Sequence, residues 1–231
     1  MSWRDLAKKR AAAKAVEHVE DDMVVGIGSG TTAAEAIRLL GERIRNGYVR
    51  GVKAVPTSYQ AIQEAVKAQI PLTTLDEYPV LDLGFDGADQ IDPELNAIKG
   101  GGGALLREKI VASCCKKYIL IADETKLTDI LGRDQPIYLE VHPMAVTPVM
   151  RKLRNMGAEP VIRQAVGKIG PVVTDNGNNL IDAYFGPIHN PGYLNARLHS
   201  VQGVIETGLF IGYASIAYIG TKTDVKTMKK L

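Results

Sequence analysis

Short apolar runs that alternate with helical stretches constrain the fold of this chain more than any other feature of its sequence. The strand-length apolar runs of the first half are residues 23–27, 52–55, 81–85 and 118–122. The helical stretches between them are residues 31–44, 61–68 and 104–115. Runs of this kind are typical of strands that are buried on both faces and joined by helical crossovers. The first half therefore predicts an α/β domain built on a parallel sheet.

The second half has a different order of elements. The pattern predicts, in sequence, a strand at 137–141, a helix at 148–156, strands at 160–163 and 180–183, a helix at 193–199 and a strand at 204–206. This β-α-β-β-α-β order is that of a ferredoxin-like domain. An apolar segment at 214–220 is strand-like again and is expected to return to the first sheet. We therefore predict one domain of residues 1–131 with 208–231 and a smaller domain of residues 132–207.

Composition and charge argue against several classes of protein. The net charge is +2 and the 28 Lys and Arg residues are scattered, so no basic block favours nucleic acid. No apolar run approaches the roughly 18 residues of a membrane span. Residues 2–10 have the pattern of an amphipathic helix rather than that of a signal peptide. Cys114 and Cys115 are adjacent, which disfavours a disulfide between them, and free thiols without an export signal predict a cytoplasmic protein.

A glycine-rich loop, Gly26 to Thr32, lies between the first strand and the first helix of the alternation. Glycine lets a backbone approach a ligand closely, and the N-terminus of the following helix offers free N–H groups to an anion. The hydroxyl groups of Ser29, Thr31 and Thr32 are suited to phosphate oxygens. The alternative is a tight turn in which Thr31 or Thr32 caps the helix.

The same loop lacks the signatures of nucleotide binding. A dinucleotide loop would have a glycine at Thr31 and an acidic residue at the end of the second strand, which ends Ala54-Val55-Pro56-Thr57. A Walker A loop would contain Gly-Lys-Ser/Thr, which is absent. The loop therefore indicates a small phosphorylated metabolite.

A second candidate site is the turn Asp86-Gly87-Ala88-Asp89, at the C-terminal end of a strand. Ligands of open α/β sheets bind at this edge, and two carboxylates there could contact sugar hydroxyls and transfer their protons. The alternative is a pair of turn and cap residues, because Asp is common in turns. The spacing of an EF-hand calcium loop is missing.

A third candidate site is Lys99 with the four glycines 100–103 that follow it. A flexible linker would suit a long polar stretch, whereas these glycines precede a helix with an apolar face, which favours a backbone nest for an anion or substrate. Lys99 could stabilise a developing oxyanion. Lys126, after another strand, is a further candidate contact for phosphate or an oxyanion.

Glu108 lies at the centre of that apolar helix face. The residues three and four positions away are Ala104, Leu105, Val111 and Ala112. Burial raises the pKa of a carboxyl group toward neutral pH, which is what a general base requires. The alternatives are a buried ion pair and a helix that is exposed after all.

The four histidines show neither metal-ligand spacing nor a place in a Ser-His-Asp arrangement. They are His18, His142, His189 and His199. We therefore expect surface or packing roles for them, and no metal site.

These motifs stand in the order found in A-type ribose-5-phosphate isomerases, and the chain resembles that family over nearly its whole length. The similar segments are residues 26–32, 86–89, 99–103, 107–110, 123–126 and 173–178. The resemblance implies a Rossmann-like domain paired with a ferredoxin-like domain, and a homodimer or homotetramer. It also implies interconversion of ribose 5-phosphate and ribulose 5-phosphate in the non-oxidative pentose phosphate pathway.

The resemblance further implies roles for individual residues. Glu108 matches the proton acceptor of the family. The matching substrate-binding residues are Ser29, Gly30, Thr31, Thr32, Asp86, Gly87, Ala88, Asp89, Lys99, Gly100, Gly101, Gly102 and Lys126.

Chemistry and resemblance together predict a mechanism. Asp86 or Asp89 assists ring opening and handles hydroxyl protons, and Glu108 moves the proton from C2 to C1 through a cis-enediolate. Lys99 and the glycine N–H groups would stabilise the enediolate charge, so that no metal or cofactor is required.

One position departs from the family pattern. The Asp-Gly-Ala-Asp turn is usually followed by Glu, and this chain has Gln90. If that residue only shapes the loop, activity should survive. If it tunes a neighbouring aspartate, the pH profile should shift.

Three other functions stay open at the level of sequence. Product analysis would separate another phosphosugar isomerase or a hexosamine phosphate deaminase. A non-catalytic sugar-phosphate sensor should carry a DNA-binding helix-turn-helix, for which the segment before Met23 is too short. An enzyme similar to coenzyme A transferases would use a glutamate as nucleophile and form a thioester.

Overall fold

The computed structural model describes residues 2–230. The strands are β1 (Val24–Ile27), β2 (Lys53–Pro56), β3 (Leu83–Asp86), β4 (Gln90–Ile91), β5 (Ala97–Ile98), β6 (Tyr118–Asp123), β7 (Ile137–Val141), β8 (Glu159–Ile162), β9 (Asn179–Tyr184), β10 (Val204–Thr207), β11 (Leu209–Phe210), β12 (Ile216–Gly220) and β13 (Val225–Lys229). The α-helices are α1 (Trp3–Val16), α2 (Gly30–Arg45), α3 (Tyr59–Lys67), α4 (Leu105–Cys114), α5 (Val146–Asn155) and α6 (Pro191–His199). Short 3-10 helices cover Glu124–Lys126 and Pro143–Ala145. In the described part of the chain, no helix combines the length and the apolar composition needed to cross a membrane.

The alternation predicted for the first half forms a six-stranded sheet in the order β13-β12-β6-β3-β1-β2. All its neighbours are parallel except β13, which pairs antiparallel with β12 at one edge. The pairing of β12 with β6 confirms that the apolar segment near residue 214 returns to this sheet. Because β2 lies on one side of β1 and β3 on the other, the strand order reverses between β1 and β3. The carboxyl ends of these two strands are where such a sheet binds its ligands.

Both faces of this sheet are covered, as the continuous apolar strands predict. Val25 and Ile27 of β1 belong to the core that contains side chains of α1, α2 and α3. Val24 packs on the opposite face with Val111 of α4. Alternate residues of one strand are therefore buried on opposite faces, which is the reason that the strand has no polar side.

An antiparallel sheet in the order β10-β7-β9-β8 forms from the second half. Helix α5 lies between β7 and β8 in the chain, and α6 lies between β9 and β10, so the predicted order of elements is confirmed. Three further strands form a small antiparallel sheet in the order β11-β5-β4. Neither this small sheet nor the edge strand β13 is among the elements predicted from the sequence.

The chain packs as two compact units. The first contains Met1–Ala88, Arg107–Lys126 and Gly212–Leu231, and the second contains Asp89–Leu106 and Leu127–Ile211. The predicted domains, 1–131 with 208–231 and 132–207, differ from these units because β4 and β5 pair with β11 and pack with the second unit. The division into domains itself stays a prediction.

The adjacent cysteines are both free thiols, as predicted. Burial raises the pKa of Cys115 to about 12, so this thiol stays protonated at neutral pH. Its sulfur would lie only 2.5 Å from a Cβ atom at Gly84. Cys115 therefore fills space that a glycine of β3 leaves open.

His18, just after α1, is held as a neutral ring by two side chains. The Lys117 ammonium lies 3.0 Å from Nδ1, and the Tyr218 hydroxyl lies 2.6 Å from Nε2. An ammonium can only donate, so Nδ1 accepts and the proton resides on Nε2. Burial and the charge of Lys117 lower the pKa of His18 below 6.5; Lys229 acts in the same direction and Glu17 against it.

This cluster predicts a pH dependence of stability. In the unfolded state His18 binds a proton below about pH 6.5, whereas in the folded state its lowered pKa delays protonation to a lower pH. The free energy of unfolding should therefore fall as the pH drops through that range. When the pH is lowered from 7.5 to 5.5, the free energy of unfolding measured in urea should fall less in His18→Asn than in the parent. His189→Asn, at an exposed histidine, should keep the parental dependence. An unchanged pH dependence in His18→Asn would contradict this account.

Candidate active site

Asp86 ends β3, and its side chain is buried at the carboxyl edge of the parallel sheet. Its Oδ1 atom accepts the backbone N–H of Ser29 at 3.1 Å and that of Gly87 at 2.7 Å. The Tyr118 hydroxyl makes a longer bond of 3.5 Å to Oδ2. Such donors favour the charged carboxylate, which is the form that can accept a hydroxyl proton.

Gly28 allows this carboxylate to reach the loop after β1. A Cβ atom at Gly28 would lie 2.1 Å from both Cγ and Oδ1 of Asp86. The next glycine, Gly30, has φ +89°, a conformation that other residues adopt only with strain. The two glycines therefore have distinct roles: one makes room for a side chain and the other permits a backbone turn.

Helix α2 begins at Gly30, with Ser29 as its N-cap, so the alternative in which Thr31 or Thr32 caps the helix is wrong. The Ser29 hydroxyl makes no capping bond; it donates to Ser58 Oγ at 2.6 Å and lies 2.8 Å from Thr57 Oγ1. The first N–H groups of a helix have no partner within the helix. Anion binding by this loop stays a prediction.

The loop after β2, which is not among the sites predicted from the sequence, supports the glycine-rich loop. Besides the two hydroxyls that Ser29 contacts, Gln60 Oε1 accepts the Gly30 N–H at 2.7 Å. A signal was present, because Thr57-Ser58 directly follows the strand next to β1. The strand order, which the sequence did not reveal, is what brings these residues to the same edge.

Glu108 lies in the first turn of α4 and is buried, with 6% of its surface exposed. The four residues predicted to surround it, Ala104, Leu105, Val111 and Ala112, are each buried as well, so the exposed-helix alternative is wrong. The carboxyl group of Glu108 therefore lies near the N-terminus of a helix and within an apolar environment.

Tyr118 links the two buried carboxylates of the first unit. Its hydroxyl is fully buried, and burial raises its pKa well above the usual value, with further contributions from the charges of Asp86 and Glu108. Both carboxylates therefore act on the same hydroxyl, which stays protonated and can only be a neutral donor or acceptor.

The small sheet of the second unit positions Asp89 and Lys99. The Asp89 N–H donates to the Ile98 carbonyl at 2.8 Å, and the Lys99 N–H donates to the Gly208 carbonyl at 2.9 Å. The Lys99 side chain is buried, with its ammonium 5.4 Å from the centre of the Phe210 ring. Its cation is thus held by cross-strand neighbours rather than by bulk water.

The glycine run after Lys99 forms an ordered turn rather than a flexible linker. The Gly101 N–H donates to Asp89 Oδ2 at 2.8 Å, and the Gly103 N–H donates to the Gly100 carbonyl at 3.0 Å. Gly100 and Gly103 have φ +122° and +81°, which only glycine adopts readily. Two glycines of the run are required by its backbone conformation.

The remaining predicted residues lie at the same edge of the parallel sheet or next to it. Lys126 ends the 3-10 helix after β6, the parallel neighbour of β3, and Ala88 follows Gly87 in the turn. Gln90 is buried, and its Oε1 accepts the Gly132 N–H at 2.8 Å. This bond favours a loop-shaping role for Gln90, because a carboxylate oxygen could accept the same N–H.

Within residues 2–230, no three His, Cys, Asp or Glu side chains form a group that could hold a metal ion.

Gly28→Ala should displace Asp86, because an alanine methyl cannot share space with the carboxylate. A displacement of about 1 Å at a reacting group lowers turnover by roughly 10²-fold. We therefore expect a loss of that size in kcat for the reaction proposed below, measured beside the thermal midpoint. Gly192→Ala is the control, since its Cβ would meet only Asn190 Oδ1 at 3.8 Å. Equal activity in the two variants would contradict the close approach.

Comparisons with known proteins agree on one family. The family model for ribose 5-phosphate isomerase A (phosphoriboisomerase A) matches residues 53–224. The ribose-5-phosphate isomerase A of Pyrococcus abyssi is 45% identical over 223 residues, which is 96% of this chain and 97% of the relative.

Solved structures give the same result. The ribose 5-phosphate isomerase A of Methanocaldococcus jannaschii is 44% identical, with TM-score 0.93 over 97% of this chain and 98% of that one. A D-ribose-5-phosphate isomerase in complex with phospho-erythronic acid is 42% identical, with TM-score 0.97 over 99% of this chain and 100% of that one. Both the sequence and the mixed α/β fold are thus matched over nearly the whole chain, and the chain belongs to the ribose 5-phosphate isomerase A family.

Proposed function

We propose that this chain interconverts D-ribose 5-phosphate and D-ribulose 5-phosphate as an aldose–ketose isomerase. One observation carries the proposal: a D-ribose-5-phosphate isomerase solved with phospho-erythronic acid matches 99% of this chain with TM-score 0.97. By its chemistry, that ligand carries the phosphate and the hydroxyl groups of a sugar phosphate. Retention of the whole fold, with every matched motif in order, supports retention of the reaction.

The substrate phosphate is assigned to the N-terminus of α2. Ser29 and Gly30 form the turn at which the helix begins, Thr31 and Thr32 offer backbone N–H and hydroxyl donors, and the positive end of the helix dipole favours an anion. Lys126, at the carboxyl end of the neighbouring part of the sheet, is assigned as a further phosphate contact. A phosphate held there places the sugar near the ends of β1 and β3.

Proton transfer is assigned to the carboxylates. Asp86 or Asp89, with Gly87 and Ala88 between them, contacts the sugar hydroxyls and assists ring opening. Glu108 then removes the C2 proton of the open aldehyde, the same aspartate moves the O2 hydroxyl proton to O1, and Glu108 returns its proton to C1, so that the enediolate collapses to the ketose. Each proton that leaves carbon is stored on one carboxylate, and the reaction needs no net acid or base.

The negative charge of the enediolate is assigned to donors of the second unit. Lys99 supplies a buried ammonium, and in the run Gly100, Gly101 and Gly102 the Gly101 N–H holds Asp89 while the Gly102 N–H is assigned to the enediolate. Fixed donors stabilise such a charge without reorganising during the reaction. This electrostatic stabilisation supports a reaction that needs neither a metal nor an organic cofactor.

The finer fold assignment rests on topology. The strand order β2-β1-β3-β6-β12 supports a Rossmann-like domain, and the order β10-β7-β9-β8 with two crossover helices supports a ferredoxin-like one.

Family membership supports a homodimer or homotetramer, a cytoplasmic location and a place in the non-oxidative pentose phosphate pathway. Size-exclusion chromatography with light scattering tests the assembly.

Glu108→Gln is the sharpest test of the proposed base. Gln keeps the shape but cannot accept a proton, so kcat should fall by roughly 10²–10⁴-fold in an assay that follows ribulose 5-phosphate in the presence of EDTA. Exchange of the C2 hydrogen with deuterated water should fall in parallel. Glu159→Gln, at an exposed glutamate of β8, should match the parent.

Each other outcome of this experiment has a definite meaning. Activity that survives in Glu108→Gln would keep the function and move the base to Asp86 or Asp89. An inactive but folded parent would reject the function, and product analysis with amino-sugar phosphates would follow.

A further inference from the structure

Arg163, at the end of β8, binds the backbone of the glycine run. Its Nη1 atom donates to the carbonyl oxygens of Gly100 and Gly101, each at 3.0 Å. The rest of the guanidinium pairs with Asp182, with Nη2 at 2.6 Å and Nε at 3.1 Å from Oδ1. All these residues belong to the second unit.

The aromatic ring of Tyr138 completes the support of this guanidinium, which lies 4.8 Å from the ring centre. Burial and the charge of Asp89 raise the pKa of the Tyr138 hydroxyl, so the ring stays neutral across the working pH range. A neutral ring holds a cation through its π face. Only 16% of the Arg163 side chain is exposed. Its orientation is therefore fixed from three sides: by the ring, by Asp182 and by the glycine carbonyls.

The bonds from Arg163 to the two glycine carbonyls also fix the direction of two backbone N–H groups. In a trans peptide the C=O and N–H point in opposite directions, so binding the Gly100 oxygen turns the Gly101 N–H away from Arg163. That N–H donates to Asp89 Oδ2 at 2.8 Å. Binding the Gly101 oxygen likewise turns the Gly102 N–H away. Within residues 2–230 no acceptor takes the Gly102 N–H, and a Cβ at Gly102 would meet no heavy atom within 4 Å.

We propose that Arg163 is a positioning residue for the isomerisation: it binds two glycine carbonyls so that one N–H orients Asp89 and the next is presented to the enediolate. This inference rests on the proposed function. Arg163 itself contacts no substrate in this account. Its effect is transmitted through the Gly100–Gly101 and Gly101–Gly102 peptide groups.

Arginine is required for this arrangement because of its shape. A planar guanidinium has five donors and can bind a carboxylate and two carbonyls at once, whereas a lysine ammonium is a point charge. Arg163→Lys should keep a pairing with Asp182 but lose at least one carbonyl. Arg163→Met should keep the packing on Tyr138 and lose every polar contact.

The test compares kcat and KM for ribose 5-phosphate in the parent, Arg163→Lys and Arg163→Met. Loss of one oxyanion donor lowers kcat by about 10²–10³-fold, so Arg163→Met should fall by roughly 10²-fold with KM within about threefold. Arg163→Lys should lie between it and the parent. Arg38→Met is the matched control: Arg38 pairs with Glu35 and Glu64 but donates to no backbone carbonyl in the described chain, so kcat should stay parental.

A second measurement is independent of activity. Amide hydrogen exchange of Gly101 should become about tenfold faster in Arg163→Met, the size expected for one lost hydrogen bond, and should not change in Arg38→Met. An inactive parent would reject the proposed function, and Gly101 exchange would still decide whether Arg163 orders the run. Parental kcat in folded Arg163→Met, or unchanged exchange, would overturn the positioning role. If Arg163→Met does not fold, the same criteria apply to Arg163→Lys.

Discussion

The hydrogen bonds between the Asp86 carboxylate and the backbone of the glycine-rich loop are the constraint on which the first unit depends. They require Asp86 at the end of β3, the Ser29 N–H at the start of α2 and no Cβ at Gly28. Those positions follow only if β1 and β3 are parallel neighbours. The strand order, the helix start and the glycine are thus three consequences of bringing one carboxylate to one helix N-terminus.

In the second unit, the small sheet β11-β5-β4 positions the functional residues Lys99 and Asp89 in a similar way. Pairing of β11 with β5 brings Gly208 beside Lys99, and a Cβ at Gly208 would lie 2.2 Å from the Lys99 carbonyl oxygen. The same small sheet aligns Asp89 with Ile98, so the carboxylate and the ammonium leave strands of fixed register. Here too a glycine permits the approach, and a backbone hydrogen bond fixes it.

The sequence predicted those features that have a local cause. Continuous apolar strands and the apolar face around Glu108 are visible within a few residues of chain, and the structure agrees with both. The predicted loop Gly26–Thr32 is shorter than expected, because β1 extends to Ile27 and α2 begins at Gly30. The strands β4, β5 and β11 have two residues each, which is too short for a recognisable pattern, and β11 pairs with β5 from a distant part of the chain. Arg163 was missed for the same reason. An arginine at the end of a strand is expected to be a solvated surface charge. Only the structure shows that Asp182, Tyr138 and the glycine run surround it.

Arg163 acts on Asp89 through a peptide group and not through a direct ion pair, and electrostatics explains why. A guanidinium about 4 Å from a carboxylate interacts with it by roughly 4 kcal/mol at an effective dielectric constant of about 20, which favours the charged form of the carboxylate. An aspartate paired in that way would be a poor acceptor of sugar protons. In this chain a peptide group separates Arg163 from Asp89, and the nearest carboxylate to the cation is Asp182, which has no assigned role in proton transfer. The cation can therefore polarise the peptide and strengthen its N–H as a donor to Asp89, without pairing directly with that carboxylate.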